Sequence, residues 1–219
     1  MKRDLITAPI AVVILTLCLG VAYPLLTTGV SQLAFPRSAN GQRAYDRGRL
    51  VGSDLIGQQF SRQLTRNGKP LVDRNGNPVT VPDRRYFQTR PSSTVPPDNA
   101  AATTFSNLGP NSLATLTELK ANIRAYLALE KPYDPGLTVA RIPVDAVDSS
   151  ASGIDPDISV ANADIQAHRV ATVRHLPLFR VDALITRFTG GRGLGFSGEP
   201  TVNVLELNLA LDRLTGSGA

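Results

Sequence analysis

"APIAVVILTLCLGVAYPLLTTGV", Ala8 to Val30, is a run of twenty-three predominantly apolar residues, and the rest of the chain takes its place from how that run is read. At about 1.5 Å of rise per residue, a helix of this length covers a hydrocarbon core of roughly 30 Å. No charged side chain occurs from Leu5 to Pro36. A cleaved secretory signal is the competing reading, because Gly20-Val21-Ala22 offers a small-residue cleavage site. Against it, the apolar character continues through Leu25, Leu26 and Val30. Pro24 is tolerated in a spanning helix when neighbours satisfy the carbonyl it frees. The run is therefore read as an uncleaved anchor at 8–30, with a short cytoplasmic N-terminus at 1–7 and a soluble domain at 31–219.

Orientation does not follow from a bare count of cations. Lys2 and Arg3 precede the run, while Arg37, Arg43, Arg47 and Arg49 follow it. Long domains are exported largely regardless of charge, whereas a short tail carrying two cations and the α-amino group resists export. The expectation is N-terminus inside and domain outside the cytoplasm.

Composition agrees with one domain plus an appendage: 219 residues, 42% of them apolar and 19% charged. The lone Cys18 excludes an intramolecular disulfide framework and, inside the apolar run, behaves as a small hydrophobe. The formal charge of +5 arises from nineteen Arg and four Lys scattered without a long run, with twelve Phe and Tyr and no Trp. That is a mildly basic, solvated surface rather than a nucleic-acid footprint.

Beyond the anchor, Arg37 to Gly57 reads as strand and turn. "RNGKPLVDRNGNPVTV" repeats itself: Arg66-Asn67-Gly68 is echoed by Arg74-Asn75-Gly76 eight residues later, and paired Asn-Gly turns suggest a small meander within 62–85. Thr89 to Thr104 is rich in Pro, Ser, Thr and Ala and reads as a long surface loop. A helix capped by Asn111 or Ser112 carries Leu113, Leu116, Leu119, Ile123, Tyr126 and Leu127 at three- and four-residue spacing and stops before Pro132. Further helices are expected over about Ser159–Arg174 and Pro177–Phe188. The tail alternates at Val202 and Val204 before turning helical at Leu207, Leu211 and Leu214. The fold class is α+β.

Four stretches resemble sites and fail on chemistry. "GGRGLGFSGEP" places Gly193, Gly195 and Gly198 in a G-x-G-x-x-G pattern, but after a helix and before Pro200 and a strand, so it reads as a flexible connection. G-x-S-x-G is absent and no Ser stands three residues before a Lys, which removes the common serine nucleophiles. His168 and His175 sit seven apart and could share a helix face, yet zinc needs a further ligand, so they read as surface or capping residues. "DAVDSSASGIDPDIS", Asp145 to Ser159, holds four aspartates, but Pro156 stands between Asp155 and Asp157 and no EF-type glycine is in place. It reads as a turn with Asp155 or Asp157 near a helix N-terminus. No catalytic or metal-ligating residue is assigned, and no cofactor is expected to bind the chain directly.

"YPLLTTG", "GSDLIGQQF", "YFQTRPSS", "SNLGPNS", "VDSSASGIDPDIS" running into "QAHRVA", and the terminal "VNVLELNLALDRL" resemble, in this order, the C subunit of the Kdp-type potassium-transporting ATPase. The resemblance covers nearly the whole chain and departs from the family at Arg62 to Arg85, where the meander looks inserted. It implies a single-span subunit of the bacterial inner membrane. Its partners would be a potassium-channel-like subunit, a P-type ATPase subunit and a small membrane subunit. The subunit would do no chemistry itself, but would assemble the complex and act as a catalytic chaperone that raises the pump's affinity for ATP. With the domain outside the cytoplasm that effect must be conformational, which points to docking over the potassium entrance, where the Asp145–Ser159 loop would enrich cations. The alternatives are an anchored or secreted carbohydrate- or peptide-binding domain without a pump partner and, third, an anchored hydrolase.

Overall fold

The computed structural model of the chain describes residues 2–74, 76–102, 107–193 and 195–216. The chain divides into two compact units, Met1–Arg43 and Ala44–Ala219.

The first unit is dominated by one helical run. Helices α1 (Lys2–Leu17) and α2 (Tyr23–Ala34) are continuous through a π-helical turn, Cys18–Ala22, in which the Tyr23 N–H donates to the Cys18 carbonyl. The widened turn stands immediately before Pro24, whose missing N–H breaks the α-helical ladder; a local change of register lets the helix continue. Thr27 Oγ1 also donates back to the carbonyls of Tyr23 and Pro24, at 3.0 Å each. Leu5–Ala34, thirty residues, is the one stretch among the described residues long and apolar enough to cross a membrane. Helical structure thus extends beyond the apolar segment 8–30 at both ends. Phe35 breaks it, and Pro36 opens the short α3 (Pro36–Ala39).

A hairpin of β1 (Arg43–Asp46) and β2 (Arg49–Ser53) comes next, and all of it but Arg43 belongs to the second unit. Next, β3 (Ser61–Gln63) pairs antiparallel with β6 (Thr80–Pro82), enclosing the tight pair β4 (Thr65–Arg66) and β5 (Lys69–Pro70). Asn67 and Gly68 turn that inner pair with φ of 53° and 75°, the left-handed geometry a type I′ turn requires. The first of the two Asn-Gly turns read from the sequence thus forms; Asn75 of the second lies outside the described residues.

All four expected helices form, each with an identifiable start. Ser112 caps α4 (Leu113–Glu130), its hydroxyl accepting from Ala114 N–H. Ser159 caps α5 (Val160–Val173), Pro177 precedes α6 (Leu178–Phe188), and Asn203 caps α7 (Val204–Thr215). In a three-stranded sheet, β9 (Thr201–Asn203) lies between β7 (Asp157–Ser159) and β8 (Thr189–Gly190) and is antiparallel to both. The glycine stretch is the connection from β8 to β9. It opens no helix, and Gly195 and Gly198 adopt positive φ, although Leu194 lies outside the described residues.

Helix α5 divides the interior. Ala163, Ala167, Val170 and Ala171 face a core with Ile158, Val181, Ile185, Val202, Val204, Leu207, Leu211 and Phe87. Ile165 faces a second cluster with Tyr126, Leu137, Ala146 and Val147. Of the α4 stripe, Leu119, Ile123, Tyr126 and Leu127 reach that cluster, whereas Leu113 and Leu116 are exposed. Each buried Val, Leu, Ile and Phe side chain of these cores contributes about 1.5–3 kcal/mol by leaving water.

Candidate functional site

Residues 83–94, "DRRYFQTRPSST", form a strap with no strand in it: a turn at its start, where Tyr86 N–H donates to the Asp83 carbonyl at 3.1 Å, leads into an irregular stretch that passes inside at the buried Phe87. A buried backbone cannot leave its N–H and C=O groups unpaired, and here side chains from α5 and α7 supply the partners. On α5, Asn162, Gln166 and Arg169 stand four and three apart, on one face, and all are buried. Arg169 Nη1 donates to the carbonyls of Arg84 and Tyr86 at 2.7 and 2.9 Å. Gln166 pairs with both backbone groups of Gln88, accepting from N–H at 2.8 Å and donating to the carbonyl at 3.1 Å. On α7, Asn208 does the same for Phe87, at 2.9 and 3.0 Å. Each amide imitates a neighbouring strand.

The lattice continues outward from Arg169. Its Nε donates to both oxygens of Glu130 of α4, at 2.9 and 3.0 Å, in a pair with no solvent exposure on either side chain. Burial pushes the Glu130 carboxyl above its ordinary range, with Arg169 opposing. Tyr126 donates to Asn162 Oδ1 at 2.9 Å. Asn162 Nδ2 in turn reaches Asp145 Oδ2 at 3.0 Å. At the other end, Arg174 lies over the Tyr86 ring at 4.7 Å and pairs with Asp212, which accepts from the Tyr86 hydroxyl.

The aspartate-rich loop is knitted into the same lattice. Asp145 accepts from both N–H and Oγ of Ser159, at 2.9 and 2.8 Å, and so holds the cap of α5 from behind. Asp157 accepts from Thr201 and Asn203 across the sheet. Asp155 accepts from the Asp157 N–H and pairs with Arg90 at 3.1 Å. Neither Asp155 nor Asp157 caps a helix, contrary to the sequence reading; the hydroxyl of Ser159 does, accepting from Asn162 N–H. Ser92 ties the strap to this loop by donating to the Gly153 carbonyl at 2.6 Å. Gly57 is required at the junction, because a Cβ there would sit 2.6 Å from the Asp155 carbonyl.

The histidines separate. His168 is half-buried within α5, whereas His175 lies beyond its end with φ of 55°, so the two share no helix face. His175 N–H donates to Thr172 and Leu176 N–H to Ala171, a Schellman closure with histidine in the place glycine usually takes. The capping role read from sequence holds for His175.

Between the strap and α4 lies a cavity of about 280 Å³ lined by Gln88, Arg90, Asp98, Asn122 and Tyr126, among others. Asp98 accepts from Thr89 Oγ1 at 3.2 Å. Burial, with the negative charge of Asp155 adding to it, raises its carboxyl to about 6. The folded protein thus holds this proton more tightly than the unfolded chain. Stability from that site is fully present below about pH 4 and is lost as pH rises through about 6. Asp98→Asn, which keeps the acceptor and tolerates the left-handed backbone at this position, is expected to raise stability above about pH 7 by about 1–2 kcal/mol, discounting for partial exposure. It is also expected to flatten the loss of thermal stability between about pH 5 and 7. A variant with the parent's pH slope would assign that slope to another group.

Sequence reasoning missed most of this site. Its signal was a polar line at four- and three-residue spacing beside Ala163, Ala167 and Ala171, a pattern that reads as a solvent face.

The family model described as "K+-transporting ATPase, c chain", KdpC, matches residues 5–213. The chain belongs to the KdpC family. Among its relatives, the potassium-transporting ATPase KdpC subunit of Methylococcus capsulatus is 46% identical over 200 residues, covering 91% of this chain and 92% of the relative. That of Herminiimonas arsenicoxydans is 42% identical over 214 residues, 97% and 99% of the two chains. The subunit of Mycobacterium tuberculosis is 42% identical over 214 residues, 98% and 100%. The match spans both units of the KdpC chain, the apolar helix and the domain that holds the strap.

Proposed function

We propose that this accessory subunit of the potassium-transporting ATPase does no chemistry and acts by docking. The anchor crosses the cell inner membrane once with the N-terminus cytoplasmic. The domain, 31–219 with the inserted meander at about 62–85, lies outside and covers the potassium entrance of the channel-like subunit. The small membrane subunit and the P-type ATPase subunit complete the complex. By preferring one conformational state of its partners, the domain raises the pump's affinity for ATP without touching nucleotide, which makes it a catalytic chaperone. The observation that carries this reading is the family match across both the apolar helix and the domain. The paired carboxylates of the Asp145–Ser159 loop, tied to Ser159, Arg90, Thr201 and Asn203, support a structural role for that loop.

The test is a purified complex in which the chain ends after the anchor. KM for potassium and KM for ATP are each expected to rise about fivefold or more, with assembly checked by co-purification. Unchanged values for both in an assembled complex would overturn the proposal.

A further inference from the structure

We infer that the β1–β2 hairpin, Arg43–Ser53, is a membrane-surface contact that lies on anionic phospholipid headgroups where the span ends. The inference rests on reading Leu5–Ala34 as the anchor. Only eight residues, 35–42, separate Ala34 from Arg43, and four of them are wound into α3. Four helical and four extended residues reach at most about 20 Å, so the chain cannot carry the hairpin far from the headgroup layer.

The hairpin is built for that layer. Arg43 and Arg49 are exposed, and among the described residues no hydrogen bond or ion pair engages either side chain. The acid between them, Asp46, is taken by Arg213 at 3.3 Å, and Arg213 also donates to the Tyr45 carbonyl. The two cations are therefore not neutralised from within the hairpin. Tyr45, on the same strand face as Arg43, is 50% exposed, and Leu50, next to Arg49 and on the other face from it, is 59% exposed. A phenol, an aliphatic side chain and guanidinium heads on flexible stems are the groups that partition into a bilayer interface. The turn at Arg47 and Gly48, with φ of 47° and 80°, holds the two strands as a tight unit. Headgroup phosphates supply the missing countercharge, and each arginine held near an anionic surface favours the contact about fivefold.

The chain contains no Trp, so single substitutions report cleanly. Full-length chain carrying Leu50→Trp would be placed in nanodiscs of phosphatidylcholine alone or mixed with phosphatidylglycerol. Blue-shifted emission and quenching by headgroup-level spin labels are expected only with phosphatidylglycerol. High salt should abolish both, and adding Arg43→Gln with Arg49→Gln should weaken the partition roughly twentyfold. Leu15→Trp serves as the control for the anchor, since deep acyl-chain quenchers should reach it in either lipid. An unquenched Leu15→Trp reporter would overturn the anchor reading, and the inference with it. If that reporter is quenched but Leu50→Trp emits as in water in both lipids, or inserts equally in both, recognition of anionic lipid is refuted by itself.

Discussion

Arg169→Met is expected to destabilise the domain by about 3–5 kcal/mol, a large share of the 5–15 kcal/mol typical of a folded domain. Methionine fills much the same volume, so the loss does not come from a cavity. It comes from three electrostatic debts: a Glu130 carboxylate left without its cation, and two strap carbonyls, of Arg84 and Tyr86, left without a donor. Adding Glu130→Gln should recover part of the loss by removing the uncompensated charge, while the strap carbonyls stay unpaired. Urea unfolding of the full chain in mild detergent reads all three proteins. A single variant within about 1 kcal/mol of the parent would mean that water replaces the guanidinium, and the lattice would not be the structural centre described above.

Asn208→Leu is the second severe substitution, at about 2–4 kcal/mol. Leucine suits the apolar surroundings of α7, where Leu207 and Leu211 are fully buried. The cost falls instead on Phe87, whose N–H and C=O both lose their partner inside the core. Hydrogen exchange gives the specific signature: the Phe87 amide should lose protection beyond the global change, while amides of α6 follow global stability alone. Equal loss everywhere would count against a local strand-mimicking role for Asn208.

These two residues also mark where the sequence was legible. The helices could be read because their evidence is local: Ser112 and Ser159 stand where caps belong, Pro132 forbids continuation, and apolar residues recur at helical spacing. The three-stranded sheet was only half legible, since Val202 announced a strand whereas Thr189–Gly190 is two residues long and owes its strand character to pairing with β9. The strap was not legible at all. Its hydrogen-bond partners lie about eighty to one hundred and twenty residues away in the chain, at Gln166, Arg169 and Asn208, and no local pattern encodes that. The acidic loop shows the same limit from the other side. Four aspartates in fifteen residues suggested caps or cations, and the distinction between Asp145 behind the cap and Ser159 as the cap depends on a three-dimensional contact.

The central position of β9 has a consequence for how the domain comes into being. A chain made from its N-terminus delivers Thr201–Asn203 after both of the strands it joins, β7 and β8, and the helix that follows supplies Asn208 and Asp212 to the strap. Until those residues arrive, the sheet has no middle and the strap no second wall. The domain therefore closes as a whole, through contacts between residues far apart in the chain, which are slow to form. A break anywhere before residue 201 therefore costs more than the residues it removes: β7 and β8 lose the strand between them, and Phe87 loses the side chain that pairs both of its backbone groups.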